Sequence, residues 1–239
     1  MSKYLRKIPT LGSSTPVFNA KDSRVTGTEN TQSQFVIRGI HKRALDVAAS
    51  SVAVVLLAPL LATIAITVKI CDGGPVLFRH RRIGCGGRTF ECLKFRTMKV
   101  DAEARLQEWL LQNPLAADEW NATQKLRNDP RLTAVGKSLR RSSIDELPQL
   151  FNILRGDMSL VGPRPVVAEE VPRYGRDIAH YYSVRPGLTG AWQVSGRNDL
   201  SYAERVRLDA EYCTTWSFTK DLVIMLKTVP VLFSGRGSY

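Results

Sequence analysis

From Val47 to Val68 the chain runs for 22 residues without a charge, and Pro59 is the one residue in that run that a helix interior does not tolerate. About 20 apolar residues suffice to cross the hydrocarbon of a bilayer, so the run is long enough to enter a membrane. It begins more than forty residues into the chain and lacks a small-residue cleavage site, which argues against a removable signal peptide. Both flanks are basic: Arg38, Lys42 and Arg43 precede it, and Lys69, Arg79, Arg81 and Arg82 follow. Positive charge favours the cytosolic side, and here both ends ask for the same side. Pro59 leaves 12 residues of the run before it and 9 after. At about 1.5 Å per residue, each arm reaches about halfway through the hydrocarbon. The pattern predicts a re-entrant helix kinked at Pro59, in preference to a straight span or a buried soluble helix. Its basic flanks would lie against anionic headgroups.

The net charge of +12 invites a nucleic-acid reading, but the charge is unevenly placed. Residues 1–43 carry 8 basic and 2 acidic groups, and residues 69–100 carry 8 and 2 again. Residues 101–239 carry 18 basic and 17 acidic groups, which is close to neutral and speaks against a nucleic-acid binder. With 44% hydrophobic and 23% charged residues, the chain can bury a core. Cys71, Cys85, Cys92 and Cys213 form no C-x-x-C pair, so neither a disulfide scaffold nor a structural zinc site is expected.

Residues 1–36 are polar and lack an apolar period, which predicts a mobile tail. Pro75–Arg82 and Arg88–Met98 read as two short strands turning through Gly84-Cys85-Gly86-Gly87. Helices are predicted over Asp101–Asn113 (ended by Pro114), about Leu147–Arg155 (ended by Gly156), Tyr202–Trp216 and Asp221–Phe233, with Pro230 breaking the last. The apolar face of that last helix is explained by burial or by docking at a membrane surface. The expected fold class is α/β, mostly helical with a short β-hairpin. It forms a monotopic membrane protein with an N-terminal re-entrant helix and a cytosolic catalytic domain. The expected divisions are 1–36, 37–70 and 71–239.

Arg140-Arg141-Ser142-Ser143-Ile144-Asp145-Glu146-Leu147-Pro148 is the most informative stretch. Ser143-x-x-Glu146 reads structurally as a capping box, with acidic groups at the positive end of a helix. A glycosidase reading fails, because adjacent helical carboxylates point about 100° apart rather than flanking a bond. The chemical reading rests on what surrounds them. Arg164 stands between Pro163 and Pro165, a stiff setting for a phosphate clamp, and Lys94 and Arg96 close the second strand. Carboxylates among cations beside a membrane suggest Mg²⁺ and a phosphorylated substrate. A non-catalytic membrane adaptor and a polyprenyl-phosphate phosphatase are the competing readings.

Six stretches in order carry a family resemblance: the basic entry and kinked apolar segment, Lys94-Phe95-Arg96-Thr97-Met98, Asp145-Glu146-Leu147-Pro148-Gln149-Leu150, Gly156 to Pro165, Arg185 to Gly190, and Gln193 to Arg197. From about His41 to Tyr239 the chain resembles the bacterial sugar transferases that are monotopic phosphoglycosyl transferases, in particular the branch that initiates exopolysaccharide synthesis. The resemblance implies transfer of a sugar-1-phosphate from a UDP-sugar donor to undecaprenyl phosphate, with release of UMP. Asp145 would be the nucleophile that forms a covalent phosphosugar-aspartate, and Glu146 its partner. Both would hold Mg²⁺. Arg140 and Arg164 would lie near phosphate, with Lys94, Arg96, Asp157, Gln193 and Arg197 completing the substrate-binding set. Galactose is the first expectation for the sugar and glucose the second. The implied location is the cytosolic face of the bacterial inner membrane, in contact with its lipid and with no nucleic acid. Oligomeric state stays open, a homodimer being one option. The family often places Ser before the kink proline. Here that residue is Ala58, and Ser50 or Ser51 is the expected substitute.

Overall fold

The computed structural model describes residues 29–123, 126–196 and 200–234. The chain divides into two units, 1–38 and 39–239, and the second holds the uncharged run, every strand and all the candidate site residues. The predicted tail lies outside the described residues over 1–28, while Glu29 to Val36 are helical. The fold is mostly helical, with two small sheets and one long apolar helix near its start.

That helix, α1 (Glu29–Asp72), continues through Pro59. Among the described residues it is the one helix long and apolar enough to cross a membrane, with a mean hydropathy of 2.5 over its most apolar stretch. One side packs on the domain. Ile64 and Val68 meet Phe95 and Leu139, while Ala53, Val54 and Leu57 meet Leu150, Ile153 and Met158. The other side leaves Val55, Leu56, Ile66 and Ile70 exposed, Leu56 at 74% and Ile70 at 78%. Ser50 is fully buried and its hydroxyl has no hydrogen-bond partner, so it does not replace the missing serine at Ala58.

Polar bonds fasten both ends of the uncharged run to the same domain. Before it, Lys42 pairs with the buried Asp221, and Arg43 donates to the carbonyls of Ile153 and Leu154. Asp46 accepts from the amide of Leu160 at 3.0 Å. After it, Asp72 pairs with Arg96 at 3.0 Å and accepts from the Val100 amide.

The expected hairpin is present: β1 (Leu77–Ile83) runs antiparallel to β2 (Thr89–Phe95), with Leu77 opposite Phe95 and Ile83 opposite Thr89. A short turn, Cys85–Gly87, joins them, and Gly86 supplies its left-handed φ of 66°. The predicted helix before Pro114 is α2 (Ala102–Gln112), and Pro114 then opens α3 (Pro114–Thr123), a position where the missing N–H costs nothing. Next come α4 (Ala134–Arg141), a 3-10 turn (Ile144–Glu146) and α5 (Gln149–Arg155). Gly156 ends α5 at φ 96°, as its sequence position predicts.

A second sheet was not foreseen. β3 (Ser159–Val161) pairs in parallel with β4 (Gly187–Thr189), which brings the Gly156–Pro165 stretch against Arg185–Gly190. The approach demands glycine: a Cβ on Gly187 would stand 2.1 Å from the Gly162 nitrogen. Between and after these strands lie α6 (Val171–Tyr174), α7 (Ile178–Tyr182), α8 (Ala191–Ser195), α9 (Tyr202–Thr214) and α10 (Phe218–Ser234). Pro230 does not break α10 as expected. It removes a single backbone donor close to the helix end, and the helix continues to Ser234. Ile224 is buried against Val161 and Tyr212, but Leu222, Val223, Leu226 and Val229 stay exposed, so burial explains only one face.

Candidate active site

The expected capping box does not form. Ser143 has φ 56° and makes no capping bond, and it is the only non-glycine residue with positive φ among the described residues. This left-handed step ends the run from α4 and starts the 3-10 turn that carries Asp145 and Glu146. Such a conformation costs about 1–2 kcal/mol for a residue with a Cβ, so neighbouring structure must hold it. α4 is well held. Thr133 caps it by accepting from the Gly136 amide at 2.8 Å, and Gly136 lies against the Thr97 backbone, where a Cβ would come within 2.0 Å of the Thr97 carbonyl oxygen.

Asn152 locks α5 to the hairpin. Fully buried, it accepts from the Leu93 amide at 2.9 Å and donates to the Glu91 carbonyl at 2.7 Å, imitating a strand partner along β2. Side chains alternate along β2, so Cys92 and Lys94 share one face while Phe95 packs on the other. The face with Lys94 opens on a cleft, and Lys94 meets Glu146 there at 2.6 Å.

Arg82, Lys94, Glu146, Gln149, Arg164 and Gln193 supply the polar wall of this cleft, and Cys92, Pro165, Gly187 and Leu188 supply the remainder. The four predicted residues Lys94, Glu146, Arg164 and Gln193 are therefore brought together from separate motifs. The cleft carries three cations against one carboxylate, a surplus suited to a multiply charged anion. Asp145 sits beside Glu146 but is buried. Burial, and secondarily the charge of Glu146, raise its carboxyl to about 6, against the opposing pull of Lys94 and Arg140. Arg140 donates to the Thr97 hydroxyl at 2.9 Å and is close enough to Asp145 for their charges to interact.

Other predicted residues lie elsewhere. Arg96 is not on the cleft wall; its guanidinium pairs with Asp72 at the end of α1. Asp157 accepts from Asn152 at 3.3 Å, just past the end of α5 and also off that wall. Arg197 lies outside the described residues. Arg82 and Gln149 were missed. Arg82 faces Phe90 in the hairpin register, which puts it on the same side as Cys92 and Lys94; the register was the signal that finds it. Gln149 stood in the recognised motif without an assigned role.

Among the described residues no three His, Cys, Asp or Glu side chains gather around a point. Mg²⁺, however, commonly takes one or two carboxylates and completes its shell with substrate phosphates and water. The adjacent Asp145 and Glu146, the former buried and in no ion pair among the described residues, fit that kind of partial site.

Residues 37–235 match the family described as bacterial sugar transferase. The chain belongs to that family. It is a transferase, and hence an enzyme. It is 53% identical over 211 residues to the exopolysaccharide production protein ExoY of Rhizobium meliloti (strain 1021), covering 88% of this chain and 93% of that one. It is 46% identical over 199 residues to the undecaprenyl-phosphate galactose phosphotransferase of Salmonella typhimurium, covering 83% of this chain and 41% of that protein. The UDP-glucose:undecaprenyl-phosphate glucose-1-phosphate transferase of Caulobacter vibrioides is 43% identical over 208 residues, covering 84% of this chain and 72% of that protein. The matched region contains the cleft, and the longer relatives add length beyond it.

Proposed function

We propose that this bacterial sugar transferase moves a hexose-1-phosphate, galactose first and glucose second, from a UDP-sugar to undecaprenyl phosphate, as the first membrane step of exopolysaccharide synthesis. The observation that carries the reading is Asp145, a buried carboxylate displaced to about 6 beside a cleft with an excess of positive charge. At neutral pH it is mainly ionised yet poorly solvated, the condition of an activated nucleophile.

In the first step a carboxylate oxygen of Asp145 attacks the phosphorus that bears the sugar. The bond from that phosphorus to the bridging oxygen breaks, and UMP departs with the oxygen. In the second step an oxygen of the acceptor phosphate attacks the same phosphorus and expels the Asp145 carboxylate. Lys94, Arg140 and Arg164 offset the repulsion between carboxylate and phosphate. Asp145 and Glu146 would hold Mg²⁺, which would supply further neutralisation of phosphate charge.

The anchor supports a monotopic arrangement at the cytosolic face of the inner membrane. From Lys42 to Asp72 a helix rises about 45 Å, more than a hydrocarbon core about 30 Å thick. Both of those residues bond to one folded domain, and the middle of α1 packs on it too. A straight span would pull the ends onto opposite sides of the bilayer. The exposed apolar faces of α1 and α10 supply surface for lipid. Thiol labelling of Cys71 and of an Ile40→Cys substitution tests this: both react from the cytosolic side only, whereas a spanning helix exposes them on opposite sides.

Release of UMP by detergent-solubilised protein, with Mg²⁺, undecaprenyl phosphate and a panel of UDP-sugars, tests the reaction. UMP from UDP-galactose, with a phosphosugar adduct on Asp145 when acceptor is omitted, is the expected outcome. Folded protein that yields no UMP from any donor would overturn the proposal.

A further inference from the structure

Beside the cleft lies a largely buried ionic cluster centred on Arg205, a residue to which the two transfer steps give no role. Arg205, on α9, has its guanidinium 5.0 Å from the ring centres of both Trp192 and Tyr202. Its Nη1 donates to Glu170 Oε1 at 3.2 Å. Glu170 also faces Arg82 at 3.7 Å through its second oxygen, and Arg82 donates to the Pro165 carbonyl at 3.1 Å. Trp192 carries a second cation, Arg164, 5.4 Å from its ring centre. None of Glu170, Arg205 or Trp192 is part of the cleft wall, but Arg82 and Arg164 both are.

We propose that Glu170, Arg205 and Trp192 form a frame that sets the two cleft arginines, Arg82 and Arg164, to grip the diphosphate of a nucleoside-diphosphate donor. The inference rests on the proposed UDP-sugar donor and assigns positioning residues to it. Burying Arg205 with its carboxylates is a poor route to stability, since apolar side chains of similar volume serve a core as well or better. What the cluster does supply is placement. Glu170 balances Arg82 and Arg205 together, and the indole of Trp192 gives Arg164 a flat surface to lie on. Burial, and then the charge of Arg164, disfavour the charge on Arg82, and both guanidinium groups line the same cleft, so an anion there would relieve Arg82. A diphosphate matches two such guanidinium forks.

The test is equilibrium binding of UDP to the solubilised full chain in Mg²⁺, paired with UMP-release kinetics. Glu170→Gln keeps shape and loses charge, and Arg205→Lys keeps charge and loses the planar stack. Each is expected to weaken UDP binding about tenfold and to raise the donor KM in step, with kcat falling far less. In an Arg164→Ala background, Arg205→Lys is expected to cost clearly less than in the parent, because its route through Trp192 to Arg164 is gone and only that through Glu170 to Arg82 remains. Unchanged UDP affinity in both variants overturns the frame, as do losses that simply add in the double variant. If Arg205→Lys fails to fold, Glu170→Gln combined with Arg82→Ala decides on the same criterion. Wild-type protein that binds no UDP overturns the donor reading together with the frame, a result distinct from UDP binding that the variants leave untouched.

Discussion

Two carboxylates in this molecule are displaced to the same value, about 6, and they do different things. Burial is the largest cause for both. Asp209, on α9, is then relieved by partners: Tyr174 donates to it at 2.8 Å, and Arg205 lies 3.9 Å away. Asp145 instead has the Glu146 carboxylate next to it as a second upward cause, and among the described residues no side chain donates to it. One, on the helix that also carries Arg205, is bonded through a single oxygen, its other oxygen buried without a hydrogen-bond partner among the described residues. The other lies beside a cationic cleft, with the charges of Lys94 and Arg140 opposing its displacement but no side chain bonded to it among the described residues. A displaced titration therefore points to catalysis only together with its place, which for Asp145 is beside Glu146 and the cationic cleft.

The sharpest way to break the comparison is to neutralise each in turn. Asp145→Asn is expected to lower UMP release by at least about 10³-fold, because an amide cannot form the phosphosugar intermediate. Asp209→Asn is expected to retain most activity, with a change carried in donor KM through Arg205. Comparable losses in the two variants, measured as single-turnover UMP release, would remove the distinction.

Stability should divide the pair in the opposite sense. The folded-state carboxyl of Asp145 lies above the ordinary value of 3.8, so between about pH 4 and pH 6 the folded chain holds more protons than the unfolded one. Its contribution favours folding at acid pH and is lost as pH rises through about 6, leaving a cost of up to about 3 kcal/mol at neutral pH. Asp145→Asn is thus expected to raise the thermal midpoint at pH 7 and to flatten its dependence between pH 4 and pH 6. Asp209 carries the same linkage cost at the same value, but Asp209→Ala leaves Arg205 and Tyr174 facing an empty place, and a net loss of about 1–3 kcal/mol is expected. Activity follows ionisation the other way: below about pH 6 the rate at limiting donor should fall about tenfold per pH unit as Asp145 takes up its proton.

How much of this was legible in the sequence depends on whether a feature is local. The uncharged run, the hairpin, the Gly156 stop and the cationic motifs are written in neighbouring residues, and the structure keeps them. What was hidden arises from chain segments far apart. The parallel pairing of β3 with β4 sets Ser159 against Gly187 and Val161 against Thr189 and thereby brings Arg164 near Gln193, and no period in either segment announces it. The Lys42–Asp221 pair closes α1 onto α10 in the same way. Arg96 misled because it ends a strand whose alternation points to the cleft, while Asp72 draws it back to α1. Ser143 misled because its spacing to Glu146 is that of a capping box; only the backbone shows the left-handed step.

That step yields the smallest effect and a discriminating one. Ser143→Gly adopts φ 56° without the Cβ penalty but loosens the unfolded chain, and the two effects oppose, so stability should stay within about 1 kcal/mol of the parent. Activity should persist, since the turn still delivers Asp145. Ser143→Val puts a β-branched side chain where that backbone is least tolerated, so the turn must shift and carry Asp145 with it. The expected result is a loss of about 1–3 kcal/mol in urea unfolding and a fall in kcat larger than any rise in donor KM. If valine is tolerated as well as glycine, the left-handed residue is incidental and the placement of Asp145 is owed to Asn152 and α5 alone.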